Sequence, residues 1–495
     1  MLNYLIFFPL IAAFVTLVLN RGGIKVFSVI ASLMVLGLNI KIWQDYLNGI
    51  NLEYQLPFKV VNFMSYHIGA DSIALILMLL SSLMIFLSFL FLKIEQKAMV
   101  SCIFFLEFAI MGLFSSLDGL LFYVFWEFSL LPLLYIMGVY GKDYRAGIKF
   151  FIYAFAGSIL MLLALIYQAY ATYKLLNIFT FDIEIWKNNA SAMSFNEQIL
   201  LFGAFFIAFA IKAPLFPFHT WAPKVYANSP ILVSMMLVAF KMAPFGFLRF
   251  CLPLFPDASV YFMPLVVALC IVSILYNALI AYRASNLKEL IAYSSISHLG
   301  VMILGIFSFN ALGLSGAVFY MFAHGIVTGA LFLMAELLYK YGTLEISYYH
   351  SLANKAPLFT IFFTLILLAS ISLPLTISFV GEFLILLGVA KLNLLYALLA
   401  GLVIILGAIY MLHVFRKMFF MQKESQLETC SLHAREILSL IPIVVLIFYL
   451  GIAPKIFLDP LNKDADFIVE KMKERAIDDQ TIRFLNHLEG ENNVR

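Results

Sequence analysis

The sequence predicts an all-α polytopic membrane protein that crosses the bilayer about fourteen times. Three observations carry that expectation. Hydrophobic residues fill 64% of the 495 positions and charged residues only 12%, about half the charged share of a soluble domain. Apolar runs of about 20 residues, the length that spans a hydrocarbon core of about 30 Å, recur along nearly the whole chain. The runs are continuous rather than alternating. They therefore read as helices, which satisfy their own backbone polar groups in lipid, and not as barrel strands.

In chain order the spans fall at 2–19, 24–44, 70–92, 98–114, 119–140, 147–171 and 198–224. The second seven fall at 231–251, 260–282, 287–307, 311–339, 358–389, 394–420 and 437–452. The seventh and twelfth contain clustered or central prolines and are expected to be broken. The opening stretch MLNYLIFFPLIAAFVTLVLN lacks a basic leader and reads as a first span rather than a signal. Loops after odd-numbered spans hold sixteen Lys and Arg; those after even-numbered spans hold six, namely Lys41, Lys59, Lys174, Lys187, Arg249 and Lys391. The larger group includes Lys93 and Lys423. The positive-inside bias puts the basic loops in the cytoplasm, so both termini and the long loops 45–69 and 172–197 are expected outside.

The tail from 453 is charged and weakly amphipathic. It reads as a surface helix with a frayed end, or as a solubilising extension without a specific role. Cys102, Cys251, Cys270 and Cys430 are scattered, with no CxxC pair, and read as small buried apolar side chains. The net charge of +3 points to no nucleic-acid partner. No HExxH, P-loop or GxSxG pattern is present.

Ionisable residues inside the spans are few: Glu107, Glu127, Lys212, Lys241, His298, His324, Glu336, Glu382 and His413. A charge at mid-membrane costs about 2.5–3.5 kcal/mol even on the lenient insertion scale, so each is a functional candidate. At about 1.5 Å per residue, Glu127 lies roughly 12 Å into its helix, Lys241 and His298 roughly 15 Å, and Lys212 and His324 roughly 20 Å. Glu382 follows Pro374 by about two turns. These six fall in one layer on six helices, the arrangement of a lateral polar chain. Its chemistry is proton transfer. A carboxylate that approaches or leaves a buried lysine changes how tightly the lysine holds its proton, and Glu127 and Lys212 have the types and depth for such a switch. Lys241, His298 and His324 extend the relay, since imidazole exchanges protons near neutrality, and Glu382 ends it. Glu336 precedes Lys340 by one turn and reads as its ion-pair partner. His413 reads as an interfacial residue, and Glu107 is left without a role.

The prolines bear on the same layer. Pro214 and Pro217 follow Lys212 in IKAPLFPF, and IKAPL at 211–215 is echoed by ISLPL, with Pro374, at 371–375. Five-helix units related in this way run in opposite directions across the membrane, with their breaks near the midplane. A lone proline in a span reads as a kink. A lysine with clustered prolines reads as a break that opens backbone carbonyls to water and allows flexing.

The stretches FWEFSLLPLLYIMGVYG (125–141), KAPLFPFHTWAPKVYANSP (212–230), AFKMAPFGFLRF (239–250), SSISHLGVMILG (294–305), FYMFAHGIVTGALFLMAE (319–336) and SLPLTISFVGEFLIL (372–386) resemble the antiporter-like subunits of respiratory complex I. The likeness covers about residues 65–420. It implies fourteen helices with two inverted five-helix repeats, broken helices 7 and 12, and a central hydrophilic axis. By it, Glu127, Lys212, Lys241, His298, His324 and Glu382 match the charged residues of helices 5, 7, 8, 10, 11 and 12. Glutamate rather than lysine at 382 favours the M-type class.

The division that follows is 1–97, three helices and an outer loop; 98–252, helices 4–8; 253–420, helices 9–13; 421–452, a loop and helix 14; and 453–495, the tail. The resemblance implies a proton-translocating part of an NADH–quinone oxidoreductase with no cofactor of its own, the flavin, iron–sulfur clusters and quinone belonging to other subunits. The implied partners are membrane-arm subunits, especially the L- and N-type subunits and the lateral helix of the L-type, and the implied setting is a bacterial inner membrane. A subunit of a multisubunit cation/proton antiporter, or of a membrane-bound hydrogenase, is the alternative.

Overall fold

Among the described residues of the computed structural model, twelve helices are long and apolar enough to cross a membrane. The shorter first helix, Leu2–Val18, and the broken pair Pro357–Ser370 and Ile377–Leu392 bring the crossings to the expected fourteen. The structure describes residues 1–56, 64–91, 96–421 and 431–488. Lys59, Lys93, Lys423, Cys430 and the last seven residues of the tail lie outside the described residues. Sheet among the described residues is confined to the loop after the second span, where Tyr54–Gln55 pairs antiparallel with His67–Ile68.

The eleventh span, Ala311–Tyr339, is buried on every side from Gly313 to Ala335, its polar Tyr320 and His324 included. Around it lie the third span Ser72–Phe91, the eighth starting with Ile231–Ala239, the tenth Leu287–Ile306, and the twelfth. Glycines set the closest approach. A Cβ on Gly381 would stand 2.8 Å from the Tyr320 Cα, and one on Gly316 would stand 2.9 Å from the Ile385 nitrogen. Small residues at such crossings let membrane helices gain dispersion contact where lipid gives no hydrophobic drive. The sixth span, Tyr144–Leu176, by contrast buries one side and exposes Ile152, Leu163 and Tyr170 on the other.

One expectation is corrected here, and of the two readings of the tail the helical one is favoured. Lys340 does not pair with Glu336; its partner is Glu436 at the start of the fourteenth span, Ala434–Ile452. Tertiary contact thus overrides the one-turn spacing. The tail is no free extension either. Its helix Lys455–Arg475 buries Phe457, Leu461, Ala465, Val469 and Met472, a one-sided stripe at helical spacing. Phe457 meets Trp43 of the second span at 5.3 Å and Phe322 of the eleventh at 5.0 Å. Asp464 accepts hydrogen bonds from the Ser72 amide at 2.8 Å and its hydroxyl at 2.5 Å, capping the third span. A second tail helix, Asp479–Leu488, follows amides of Ile477 and Asp478 that donate to Asp257 at the head of the ninth span.

The tail therefore lies on the face that also carries the loops after the second and sixth spans, called the loop face below. His67 joins those two loops: its Nδ1 is 2.8 Å from Asp182 Oδ2 and its Nε2 is 2.8 Å from Glu53 Oε1. Burial works against the charged imidazolium, but the two carboxylates outweigh it and hold the His67 pKa above its ordinary value.

Candidate functional site

Helix interruptions position four of the six ionisable residues, and each has a proline close by. In the fifth span the interruption is slight: between Gly119–Phe128 and Leu130–Tyr140 the one intervening residue, Ser129, keeps helical φ and ψ of −67° and −22°, and Pro132 has no N–H to offer the Phe128 carbonyl. In the seventh, Phe195–Lys212 ends on Lys212 itself, and after Pro214 and Pro217 the chain resumes as Phe218–Trp221 and Ala222–Asn228. The eighth span was expected to be continuous and is not. Ile231–Ala239 stops, Lys241 has ψ 41°, and the helix resumes at Met242–Gly246. Pro244 leaves the Phe240 carbonyl without its helical donor, and that proline was the available signal. In the twelfth, Ser372 and Leu375 beside Pro374 take φ of 55° and 74°, a region sparsely used by residues with a Cβ, before Ile377–Leu392 carries Glu382.

The seventh-span break does not leave bare backbone for water, as the sequence had suggested. The Trp221 indole donates to the Ile211 carbonyl at 2.9 Å, and the Leu215 amide donates to the Ala210 carbonyl at 2.9 Å. Protein groups thus satisfy the Ala210 and Ile211 carbonyls at the break, the condition for irregular backbone at membrane depth.

Around Lys212 the contacts are loose and aromatic. Its ammonium lies 5.3 Å from the Trp126 ring centre and 5.4 Å from that of Phe150, within the range of cation–π attraction. It reaches the Ser129 hydroxyl at 3.4 Å. Glu127 acts on Lys212 through space, while its Oε1 has no hydrogen-bond partner among the described residues. Lys212 and Lys241 line one small cavity of about 30 Å³, with Phe150, Trp221 and Leu299 in its wall. That exceeds the roughly 10–15 Å³ that one water needs.

Beyond Lys241 the contacts tighten. Lys241 Nζ stands 3.1 Å from His324 Nδ1. The His324 and His298 rings are 5.9 Å apart between centres. His298 Nδ1 meets the Tyr320 hydroxyl at 2.8 Å and Glu382 Oε1 at 3.7 Å. Glu382 Oε2 accepts the Ser372 hydroxyl. Four helices thus meet in one buried series from Lys241 to Glu382, all of its members under 6% exposed.

All six predicted residues fall into two adjoining groups, Glu127 with Lys212, and Lys241, His324, His298 with Glu382. Sequence reasoning missed Tyr320, Ser372 and Ser129. Tyr320 lies one turn before His324 on the same face, and Ser372 is inside the ISLPL echo, so both were within reach of the pattern. Glu107 is fully buried with neither carboxylate oxygen partnered among the described residues, and it joins neither group. Cys251 and Cys270 are buried, as expected, while Cys102 is partly exposed.

The comparisons with known proteins bear on this same stretch. The family model described as NADH:quinone oxidoreductase/Mrp antiporter, transmembrane, matches residues 116–408, which include all six residues. The chain belongs to this family. Among family relatives, the NADH-quinone oxidoreductase subunit M of Rickettsia prowazekii (strain Madrid E) is 39% identical over 419 residues, covering 82% of this chain and 84% of the relative. The NADH-ubiquinone oxidoreductase chain 4 of Marchantia polymorpha is 34% identical over 494 residues, covering 95% and 97%. A chain from the structure of respiratory complex I from Thermus thermophilus with bound NADH superposes with a TM-score of 0.88 at 30% identity, over 95% of this chain and all of that one. The family fold anticipated from the motifs is thereby met.

Proposed function

We propose that this chain is a proton-translocating membrane-arm subunit of an NADH–quinone oxidoreductase, of the M-type class. The observation that carries the reading is the buried series Lys241, His324, His298, Tyr320 and Glu382, reached from Lys212 through a shared cavity. Each ionisable member both takes up and releases protons, and the series runs across helices rather than along one. Lys212 takes up a proton while Glu127 is near and hands it to Lys241 when that carboxylate's influence falls, since a partner charge sets how strongly an ammonium is held. The histidines pass it on by exchanging which ring nitrogen is protonated. Glu382, held by Ser372, closes the series.

In this reading electron transfer to quinone takes place on other subunits, and its energy reaches this chain as a shift in local charge. The partners are other subunits of the complex. The L- and N-type subunits and the lateral helix of the L-type are the neighbours we assign. The setting is the inner membrane of a bacterium, with the loop face and both termini outside, as the sixteen-to-six Lys and Arg bias requires. Helices 4–8 and 9–13 act as inverted halves, since breaks five crossings apart lie in helices of opposite direction. The relatives at 34–39% identity carry oxidoreductase names, which favours this assignment over a free-standing cation/proton antiporter. Co-purification with redox subunits is the direct check on the complex.

The functional test is Lys212→Ala in the intact complex in proteoliposomes. The complex is expected to assemble and oxidise NADH while proton pumping by this subunit is lost. Undiminished pumping overturns the role given to Lys212.

A further inference from the structure

A second polar region lies outside the series, under the tail helix on the loop face. It is a cavity of about 280 Å³, far more than the roughly 10–15 Å³ that one water needs. Its walls hold two ion pairs, Arg249 Nη2 with Asp71 Oδ2 at 3.0 Å and Lys187 Nζ with Glu184 Oε1 at 2.7 Å. The Asp71 and Glu184 side chains are 32% and 46% exposed, so the mouth meets solvent. The floor is apolar, made by Phe245 and Leu248 of the eighth span.

That floor lies directly beyond Lys241. Phe245 follows Lys241 by one helical turn, its amide donating to the Lys241 carbonyl at 3.1 Å, and Arg249 follows by a second turn. The Arg249 guanidinium lies 5.0 Å over the Phe245 ring, and Phe114 meets that ring edge-on at 5.0 Å. Along one side of one helix the order is therefore charged cavity, aromatic ring, lysine. The lysine stands on the break, the point where this helix bends most readily.

We propose that Phe245 gates a proton exit from Lys241 to the charged cavity on the loop face. The inference rests on the proton-translocation reading above and adds a branch to it at Lys241: a proton arriving from Lys212 either passes on to His324 or leaves through this gate. When the eighth span flexes at Lys241, the Phe245 ring moves aside and cavity water reaches the ammonium. An N–H bond of Lys241 breaks, its electron pair stays on Nζ, and the proton passes to water and then to the Asp71 or Glu184 carboxylate and bulk solvent. Lys241 is reprotonated from the Lys212 side. Arg249, ion-paired with Asp71 and stacked over the ring, places a positive charge in the path and so raises the barrier to proton passage in both directions while the gate is closed.

The test uses the intact complex in sealed vesicles. Leu248→Cys is treated with a membrane-impermeant, positively charged methanethiosulfonate added on the loop-face side, in a chain carrying Cys251→Ser. Labelling of position 248 is followed by mass spectrometry, with Val238→Cys, on the far side of the break and buried, as the control that stays unlabelled. The proposal expects labelling at 248 and, after it, fewer protons pumped per electron. Phe245→Ala is expected to give a passive proton leak absent from the parent, and Phe245→Trp to remain tight. No labelling at 248, or full labelling with unchanged pumping and a tight Phe245→Ala variant, overturns the exit. Lys212→Ala separates the two failures. If it pumps normally, the underlying reading fails; if it does not pump while these variants behave as the parent, only the exit fails.

Discussion

The two groups of buried ionisable residues are built differently. Lys212 is held by rings at 5.3–5.4 Å and one hydroxyl at 3.4 Å, with Glu127 acting from a distance. In the second group Lys241 meets His324 at 3.1 Å, His298 meets the Tyr320 hydroxyl at 2.8 Å and Glu382 at 3.7 Å, and Ser372 bonds Glu382, while the His324 and His298 rings stand 5.9 Å apart between centres. Loose contacts cost little to rearrange, so the first group suits a charge that is switched. Short buried contacts hold a geometry more firmly, so the second suits conduction along a more fixed path, although His324 Nε2 and Glu382 Oε1 have no hydrogen-bond partner among the described residues. The lesson is that a helix break does not by itself mean mobility. Both groups have breaks, and the packing around each decides what the break does.

Several substitutions break or sharpen that contrast. The largest effect is expected from Lys241→Met, which removes the one ionisable residue shared by the small lysine cavity and the histidine contacts. Pumping by this subunit should vanish with assembly intact, read as protons moved per electron in proteoliposomes. Retained pumping shows that the two groups do not communicate there. Next is Gly381→Val. Its Cβ would stand 2.8 Å from the Tyr320 Cα, so the eleventh and twelfth spans must part, at about 1–3 kcal/mol for overpacking. Both thermal stability and pumping should fall; a variant with parental melting and pumping refutes the tight crossing.

Tyr320→Phe removes one hydroxyl from the second group and leaves the ring. The loss of a hydrogen bond worth about 0.5–1.5 kcal/mol should slow pumping by no more than roughly tenfold. The matching change in the first group, Ser129→Ala, removes a contact of 3.4 Å and should alter pumping less than Tyr320→Phe. The reverse order of these two effects contradicts the distinction between a loose and a tight group.

The smallest effect lies on the loop face and depends on pH. The pKa of His67 is raised in the folded chain despite burial, because Asp182 and Glu53 hold the charged form. Its contribution to loop stability is complete below the unfolded pKa of about 6.5 and is lost as pH rises through the higher folded value. Proteolysis of the loop after the second span should therefore accelerate on the alkaline side, and His67→Gln should remove the pH dependence. A parental loop whose cleavage is indifferent to pH argues against a charged His67.

How much was legible beforehand differs by feature, for physical reasons. Lipid forbids unsatisfied backbone and makes charge costly. Hydrophobicity therefore located the fourteen crossings, and rarity singled out Glu127, Lys212, Lys241, His298, His324 and Glu382. Proline chemistry located the breaks at Pro214 and Pro374, and the same argument applied to Pro132 and Pro244 would have reached the slight interruption beside Glu127 and the break at Lys241. Tyr320 and Ser372 were harder, since hydroxyls are common in spans and only a partner distinguishes one that matters.

By itself, then, the sequence determined the class of fold and which residues carry ionisable groups at mid-depth, because both follow from local composition against a lipid solvent. Only the tertiary structure decided which of those groups touch. It placed Lys241 on His324 and left Lys212 among rings, gave Lys340 to Glu436 rather than Glu336, and laid the charged tail over Asp257 and Ser72. Those choices depend on how close two helices come, which is set by glycines and side-chain shape on both partners at once and cannot be read from either one alone.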